Sequence, residues 1–200
     1  FIPLLLEAGK TKPPASPAAM GQKIGKASFE EDARPFLNLP APAINAVWTA
    51  YNLSAESWGL RQGGFVSICA CLAPFVGVDD ASMAANSERL FFLLDTDKNG
   101  IIDALEFLGM LAMVSSMEPS DKIRFVYSVY DFGERGVLQV DEVTLAVKST
   151  VEGLCKVSKL PAPPSSACEG IARLAFAAAD KAADSGGSGV FHGLTLAEFL

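Results

Sequence analysis

The chain has 200 residues, half of them apolar and a fifth charged, with a formal charge of -7 and an isoelectric point near 4.7. That composition describes a globular protein rather than a disordered one, with enough chain for one domain or two small lobes. The acidic balance argues against nucleic acid or an anionic membrane surface as a partner, and suits cations or basic protein segments.

Residues 1–42 are rich in Pro, Ala, Lys and Gly, as in Lys12-Pro13-Pro14-Ala15-Ser16-Pro17. They are expected to form an extended arm or linker, or a tail that orders on a partner. The opening Phe1-Ile2-Pro3-Leu4-Leu5-Leu6 is too short for a signal peptide core and has no basic flank before it. A start at Phe1 and an end at Leu200, inside what reads as a new helix, lead us to expect either a piece of a longer polypeptide or a processed chain.

From Ala43 the pattern is helical. Ile44, Val47, Trp48 and Tyr51 recur at helix spacing, and Phe65, Ile68 and Leu72 follow on a second helix. The apolar run Phe65 to Val78 contains Pro74 and is too short to span a bilayer, so no membrane span is expected. Cys69 and Cys71 lie in that run. With Cys155 and Cys168, and without a C-x-x-C pair, they read as buried small apolar residues in a reducing compartment rather than zinc ligands or a disulfide framework. Helices are expected over Glu88 to Leu94 and Ala104 to Val114, either side of an acidic loop.

That loop is Asp95-Thr96-Asp97-Lys98-Asn99-Gly100-Ile101-Ile102-Asp103-Ala104-Leu105-Glu106. It matches D-x-[DN]-x-[DN]-G-x₅-E in full. Calcium is a hard cation that takes six to eight oxygens. Asp95, Asp97 and Asn99 alternate, so their oxygens converge as the chain curls. Gly100 allows the positive φ of the turn. Ile101 offers its backbone carbonyl, Asp103 acts directly or through a water, and Glu106 supplies two oxygens from the next helix. One calcium site is expected here, and the bidentate Glu106 favours calcium over magnesium. Ile102 is the apolar residue expected to pin the loop to a neighbour.

Beyond it, Glu118-Pro119-Ser120 is a break, with Ser120 the expected N-cap of a helix from Asp121 to Tyr130. Asp131 to Glu142 repeats the loop frame about one 30–40-residue repeat later. Asp131, Gly136, Leu138 and Glu142 survive, but Gly133 lacks a side-chain oxygen and Arg135 puts a cation at a ligand position. It reads as a structural loop without metal. Val140 to Leu154 is the next helix and Leu160 to Pro164 a linker. Ser166 with Glu169 makes a capping box ahead of an alanine-rich helix ending near Ala179. Asp184 to Gly189 is a glycine-serine loop, and Thr195 to Leu200 starts a last helix.

Two further degenerate loops fit the same frame. One, about residues 180–198, has Leu194 and Glu198 at positions eight and twelve, but Gly187, Gly189 and Phe191 early. Asp180 and Asp184 lie upstream, and the single histidine, His192, reads as a surface or packing residue. The other, 53–64, is cryptic: Leu60 holds position eight and Gly64 stands where Glu belongs.

The intact loop and its repeats resemble the EF-hand superfamily of calmodulin-like calcium-binding proteins, over about residues 43–200. The resemblance implies an all-α fold of paired helix–loop–helix units in two lobes, 43–117 and 118–200, with short β-bridges between paired loops. Leu60 is expected beside Ile102, and Leu138 beside Leu194. It also implies a calcium sensor or adaptor, with affinity of ~10⁻⁷–10⁻⁵ M, that engages a protein segment as an amphipathic helix. Met83, Met110, Met113 and Met117 gather around the intact loop, either as such a groove or as core fillers. The alternative is a structural module of a larger assembly, with calcium only stabilising one lobe. The implied setting is cytoplasmic, and cytoskeletal or ciliary on that alternative. No nucleophile–base pair and no phosphate loop stands out, so no enzyme activity is expected.

Overall fold

The computed structural model describes residues 29–55, 57–184 and 193–200, with side chains described as far as residue 179 and again from 193. Its elements are a 3₁₀ turn at Glu31–Phe36, then α1 (Ala41–Ser54), β1 (Gly59–Arg61), α2 (Gln62–Cys69), a 3₁₀ turn at Ala70–Leu72, α3 (Ala73–Val76) and α4 (Asp80–Leu94). There follow β2 (Ile101–Asp103), α5 (Ala104–Val114), α6 (Pro119–Tyr130), β3 (Val137–Leu138), α7 (Val140–Ser158), α8 (Ser165–Asp184), β4 (Leu194–Thr195) and α9 (Leu196–Phe199). The fold is all-α, with the short strands confined to the loops.

The strands pair as position eight requires. β1 and β2 are antiparallel with Leu60 opposite Ile102, and β3 and β4 are antiparallel with Leu138 opposite Leu194. All four of these side chains are buried, so each bridge is also the apolar floor of a helix pair. In the first pair Phe65 of α2 packs edge-on against Phe107 of α5 with centroids 4.7 Å apart, and lies 5.9 Å from Phe91 of α4. In the second pair Tyr127 of α6 meets Phe199 of α9 at 5.6 Å and donates its hydroxyl to the Leu194 carbonyl at 3.0 Å.

The two pairs share one core. α5, nearly all buried, lies against α7, and two glycines set their separation. A β-carbon on Gly109 would stand 2.5 Å from the Thr150 hydroxyl, and one on Gly153 would stand 2.4 Å from the Glu106 carbonyl oxygen. Tyr130, fully buried at the end of α6, donates to the Leu105 carbonyl at 3.2 Å. Trp58 and Phe132, from the facing loops of the two pairs, are 5.6 Å apart.

Several expectations are corrected. The arm does not extend through residue 42: Ala33, Phe36 and Leu39 are buried and the 3₁₀ turn packs on α4. Their three-residue spacing turns one apolar face inward, which composition alone conceals. The helix expected from Asp121 begins at Pro119 with Glu118 as its N-cap residue, because proline's fixed φ suits the first helical position. Ser166 lies inside α8, which starts one residue earlier and runs past Ala179 to Asp184. α4 reaches back to Asp80, capped by the Asp79 carboxylate accepting the Ser82 amide at 2.7 Å. α7 continues to Ser158 and ends on Lys159 in the left-handed region. Cys69 and Cys168 are buried as expected, but Cys71 and Cys155 are only half-buried. Met83 and Met110 are core residues, while Met113 and Met117 are half-buried. No helix among the described residues is long and apolar enough to cross a membrane.

Candidate metal loop and its companions

Asp95 ends α4 and is nearly buried. Its two carboxylate oxygens accept the amides of Asn99 and Gly100, each at 3.1 Å. The chain between them must therefore curl around Asp95, and it does so through Lys98 at φ 58° and Gly100 at φ 78°. Asp97 also accepts from Asn99, at 3.3 Å from the amide and 2.8 Å from the side chain. The Asn99 oxygen accepts the Ile101 amide at 2.8 Å. Asp103 caps α5 by accepting the Leu105 amide at 2.7 Å. The loop opens on a cleft of about 380 Å³ lined in part by Trp58, Asp97, Asn99, Asp103, Glu106 and Lys156.

The donors are all oxygens, and the left-handed Gly100 turn curls the loop as a hard divalent cation requires. Asp95, Asp97, Asn99, Ile101 and Asp103 line one curl. Glu106 lines the same cleft as Asp97, Asn99 and Asp103, and its Oε2 accepts from Lys156 Nζ of α7 at 2.5 Å, across 50 residues of sequence. Among the described residues no three metal-ligating side chains are drawn together into one cluster. Burial pushes the Glu106 carboxyl above its ordinary value, and the ammonium beside it opposes that without overcoming it. Tyr51, stacked on Trp58 at 5.3 Å, is pushed up to about 12 by burial and then by the charge of Asp103.

The other position-twelve glutamates behave differently. Glu142 folds back on its own helix start, accepting the Gln139 amide at 2.7 Å, and Glu198 does the same with Thr195 at 2.8 Å. In the loop from Asp131, Arg135 completes the ring: its guanidinium meets both Glu142 oxygens at 2.8 Å, while Asp131 accepts the amides of Arg135 and Gly136 at 2.9 and 2.8 Å. The sequence places Arg135 as a repelling charge. The structure makes it this loop's own cation, held by the glutamate a metal would use. In the 180–198 loop, Gly187, Gly189, Phe191 and His192 lie outside the described residues, as do the side chains of Asp180 and Asp184.

Lys156 carries no signal in the sequence. It sits on a helix surface far along the chain, and only the packing of α7 on α5 brings it to Glu106. The Trp58 carbonyl, which accepts the Ala104 amide at 2.8 Å and so ties the cryptic loop to the start of α5, is equally silent.

No protein-family model matches the chain. It is 35% identical over 77 residues to calcium-binding protein K of Dictyostelium discoideum, covering 38% of each chain. It is 38% identical over 55 residues to calcium-binding protein J of the same organism, covering 28% of each. With guanylyl cyclase-activating protein 1 of Lithobates pipiens it shares 24% identity over 120 residues, or 59% of this chain and 55% of that one. The matched part spans less than two-fifths of the length of these Dictyostelium relatives. Over these partial matches the chain is similar to proteins named for calcium binding, and its two bridged pairs of helix–loop–helix units have the EF-hand arrangement.

Proposed function

We propose that the loop from Asp95 to Glu106 binds one calcium ion and that the chain is a calcium-responsive adaptor for a protein partner. The observation that carries this reading is the curl of the loop around Asp95, held by the Asn99 and Gly100 amides and fixed at position eight by the bridge from Ile102 to Leu60. Asp95, Asp97, Asn99, the Ile101 carbonyl, Asp103 and Glu106 are the ligands. A bound calcium ion supplies the divalent charge that lets four carboxylates share one centre. The protein's part is to keep that centre attached to α4 on one side and α5 on the other, so that occupancy is felt by both helices. The partner we propose is an amphipathic helical segment. Its site is the apolar groove of about 880 Å³ beside the loop, where Phe92, Leu93, Leu160 and Pro161 meet. The relative named as an activator of guanylyl cyclase acts on another protein, which supports an adaptor role. The four free thiols support a reducing, cytoplasmic setting.

A second reading has support of its own. Arg135 closes its loop without metal, and the two pairs are packed into one core. Both suit a structural module in a larger assembly, in which calcium only stabilises the first pair.

Calcium calorimetry with tryptophan emission separates the readings. Trp58 lines the loop cleft and faces Phe132 of the second pair, so it reports on both. One micromolar site, lost in Glu106→Gln and accompanied by an emission change, supports the adaptor. One site with silent tryptophans supports the structural module. No heat of binding sinks the calcium assignment.

A further inference from the structure

We propose that Lys156 is a built-in competitor of the metal: its ammonium holds the Glu106 carboxylate until calcium claims it, and its release carries the state of the loop to α7 of the second pair. The inference rests on the calcium reading above and names the regulation of that same site.

Three observations converge on Glu106. Lys156 Nζ is 2.5 Å from Glu106 Oε2, and the side chains are only 22% and 13% exposed. Water therefore screens this pair less than it would a pair on the open surface. The contact is also positioned rather than accidental. Gly153, one helical turn before Lys156, lets α7 approach until a β-carbon there would stand 2.4 Å from the Glu106 carbonyl oxygen. α7 thus meets the same residue twice, at backbone and at side chain. Finally, Glu142 and Glu198 each fold back onto the amide three residues earlier, whereas Glu106 reaches out to another pair's helix.

The consequence is a competition in which an ammonium and a calcium ion want the same oxygens. The ion pair must break before Glu106 can offer both of its oxygens to calcium. Lys156 has somewhere to go, because it walls the loop cleft on one side and the groove of Cys155, Leu160 and Pro161 on the other. Lys156 thereby sets the calcium affinity from outside the loop, and calcium in turn loosens the end of α7.

The test is calcium calorimetry on the full chain and on Lys156→Met, which keeps the length of the side chain and removes its charge, with Lys156→Gln as a second variant in case methionine disturbs the packing. The expected result is binding tighter by about three- to tenfold in either variant, the range set by loss of one half-buried ion pair. Hydrogen exchange of the α7 amides supplies a readout beyond affinity. Calcium should speed exchange near Lys156 in the wild type and leave it unchanged in the variants. Equal or weaker affinity in both variants overturns the competition while leaving the calcium site standing. Wild-type exchange that ignores calcium overturns the link to α7. Absence of calcium binding in wild type and variants alike sinks the calcium reading and the competition together.

Discussion

Among the described residues two cations sit against position-twelve glutamates, and their placement gives them different work. Arg135 belongs to the loop it closes, and a single guanidinium nitrogen donates to both oxygens of Glu142, a charge-assisted contact. Glu142 is nearly buried whereas Arg135 is about half exposed, so the pair is partly screened. Arg135→Ala should then lower stability by about 1 kcal/mol, mostly through a carboxylate left short of a partner. Added calcium should not restore the loss, because Gly133 offers no side-chain oxygen. Thermal unfolding of wild type and variant with calcium or chelator checks both parts, and full rescue by calcium would show that the loop had kept a metal site. The six ligand candidates in 95–106 were legible in the sequence because each follows from spacing and donor chemistry. The bond between Arg135 and Glu142 was not, since a charge at a ligand position reads equally as repulsion or as replacement until its guanidinium is seen to reach the glutamate.

At the scale of elements, the register of the two bridges was open to sequence reasoning because position eight must be apolar and must face its counterpart. Leu60 with Ile102 and Leu138 with Leu194 follow from counting along each loop. The crossing of α5 on α7 was hidden, because glycine inside a helix pattern reads as a weakness rather than as a contact. Gly109 and Gly153 are where backbones approach, and alanine there has opposed effects. Helix propensity gains about 1 kcal/mol from glycine to alanine. At Gly153 the new methyl would meet the Glu106 carbonyl oxygen at 2.4 Å and the Met110 β-carbon at 2.9 Å, and backbone cannot swing aside as a side chain can. Gly153→Ala is therefore expected to destabilise by about 1–3 kcal/mol despite the propensity gain. Gly170→Ala in α8 is the control. Nothing lies within 4 Å of its added carbon, so it should stabilise by about 0.4–1 kcal/mol. Denaturant unfolding of the two variants should move in opposite directions; movement in the same direction would mean that the crossing is loose enough to absorb a methyl.

Over the whole molecule, the stretch before α1 joins what the sequence divides. A proline- and alanine-rich composition suggested an arm, yet residues 29–40 touch both pairs. The Glu30 amide donates to the Val157 carbonyl of α7 at 2.8 Å, the Asn38 amide donates to the Val114 carbonyl of α5 at 2.8 Å, and the Leu39 carbonyl accepts the Ser116 amide at 2.9 Å. Arg89 of α4 lies 3.5 Å from Asp32, and Lys159 lies 2.6 Å from Glu30. Those ion pairs are at least partly exposed and contribute little, so Phe36, fully buried, is the anchor. Truncating a buried phenylalanine costs about 3–5 kcal/mol. Because residues 29–40, α5 and α7 share one core, that loss should not be confined to the first pair. Phe36→Ala should shift the unfolding of the whole chain as one transition, with the emission of Trp48 and Trp58, both in the first pair, tracking the far-ultraviolet circular dichroism of all helices together. If the tryptophans melt first and much of the helix signal survives, the pairs are separable lobes after all. The channel from Glu106 through Lys156 to α7 would then join two bodies that open independently.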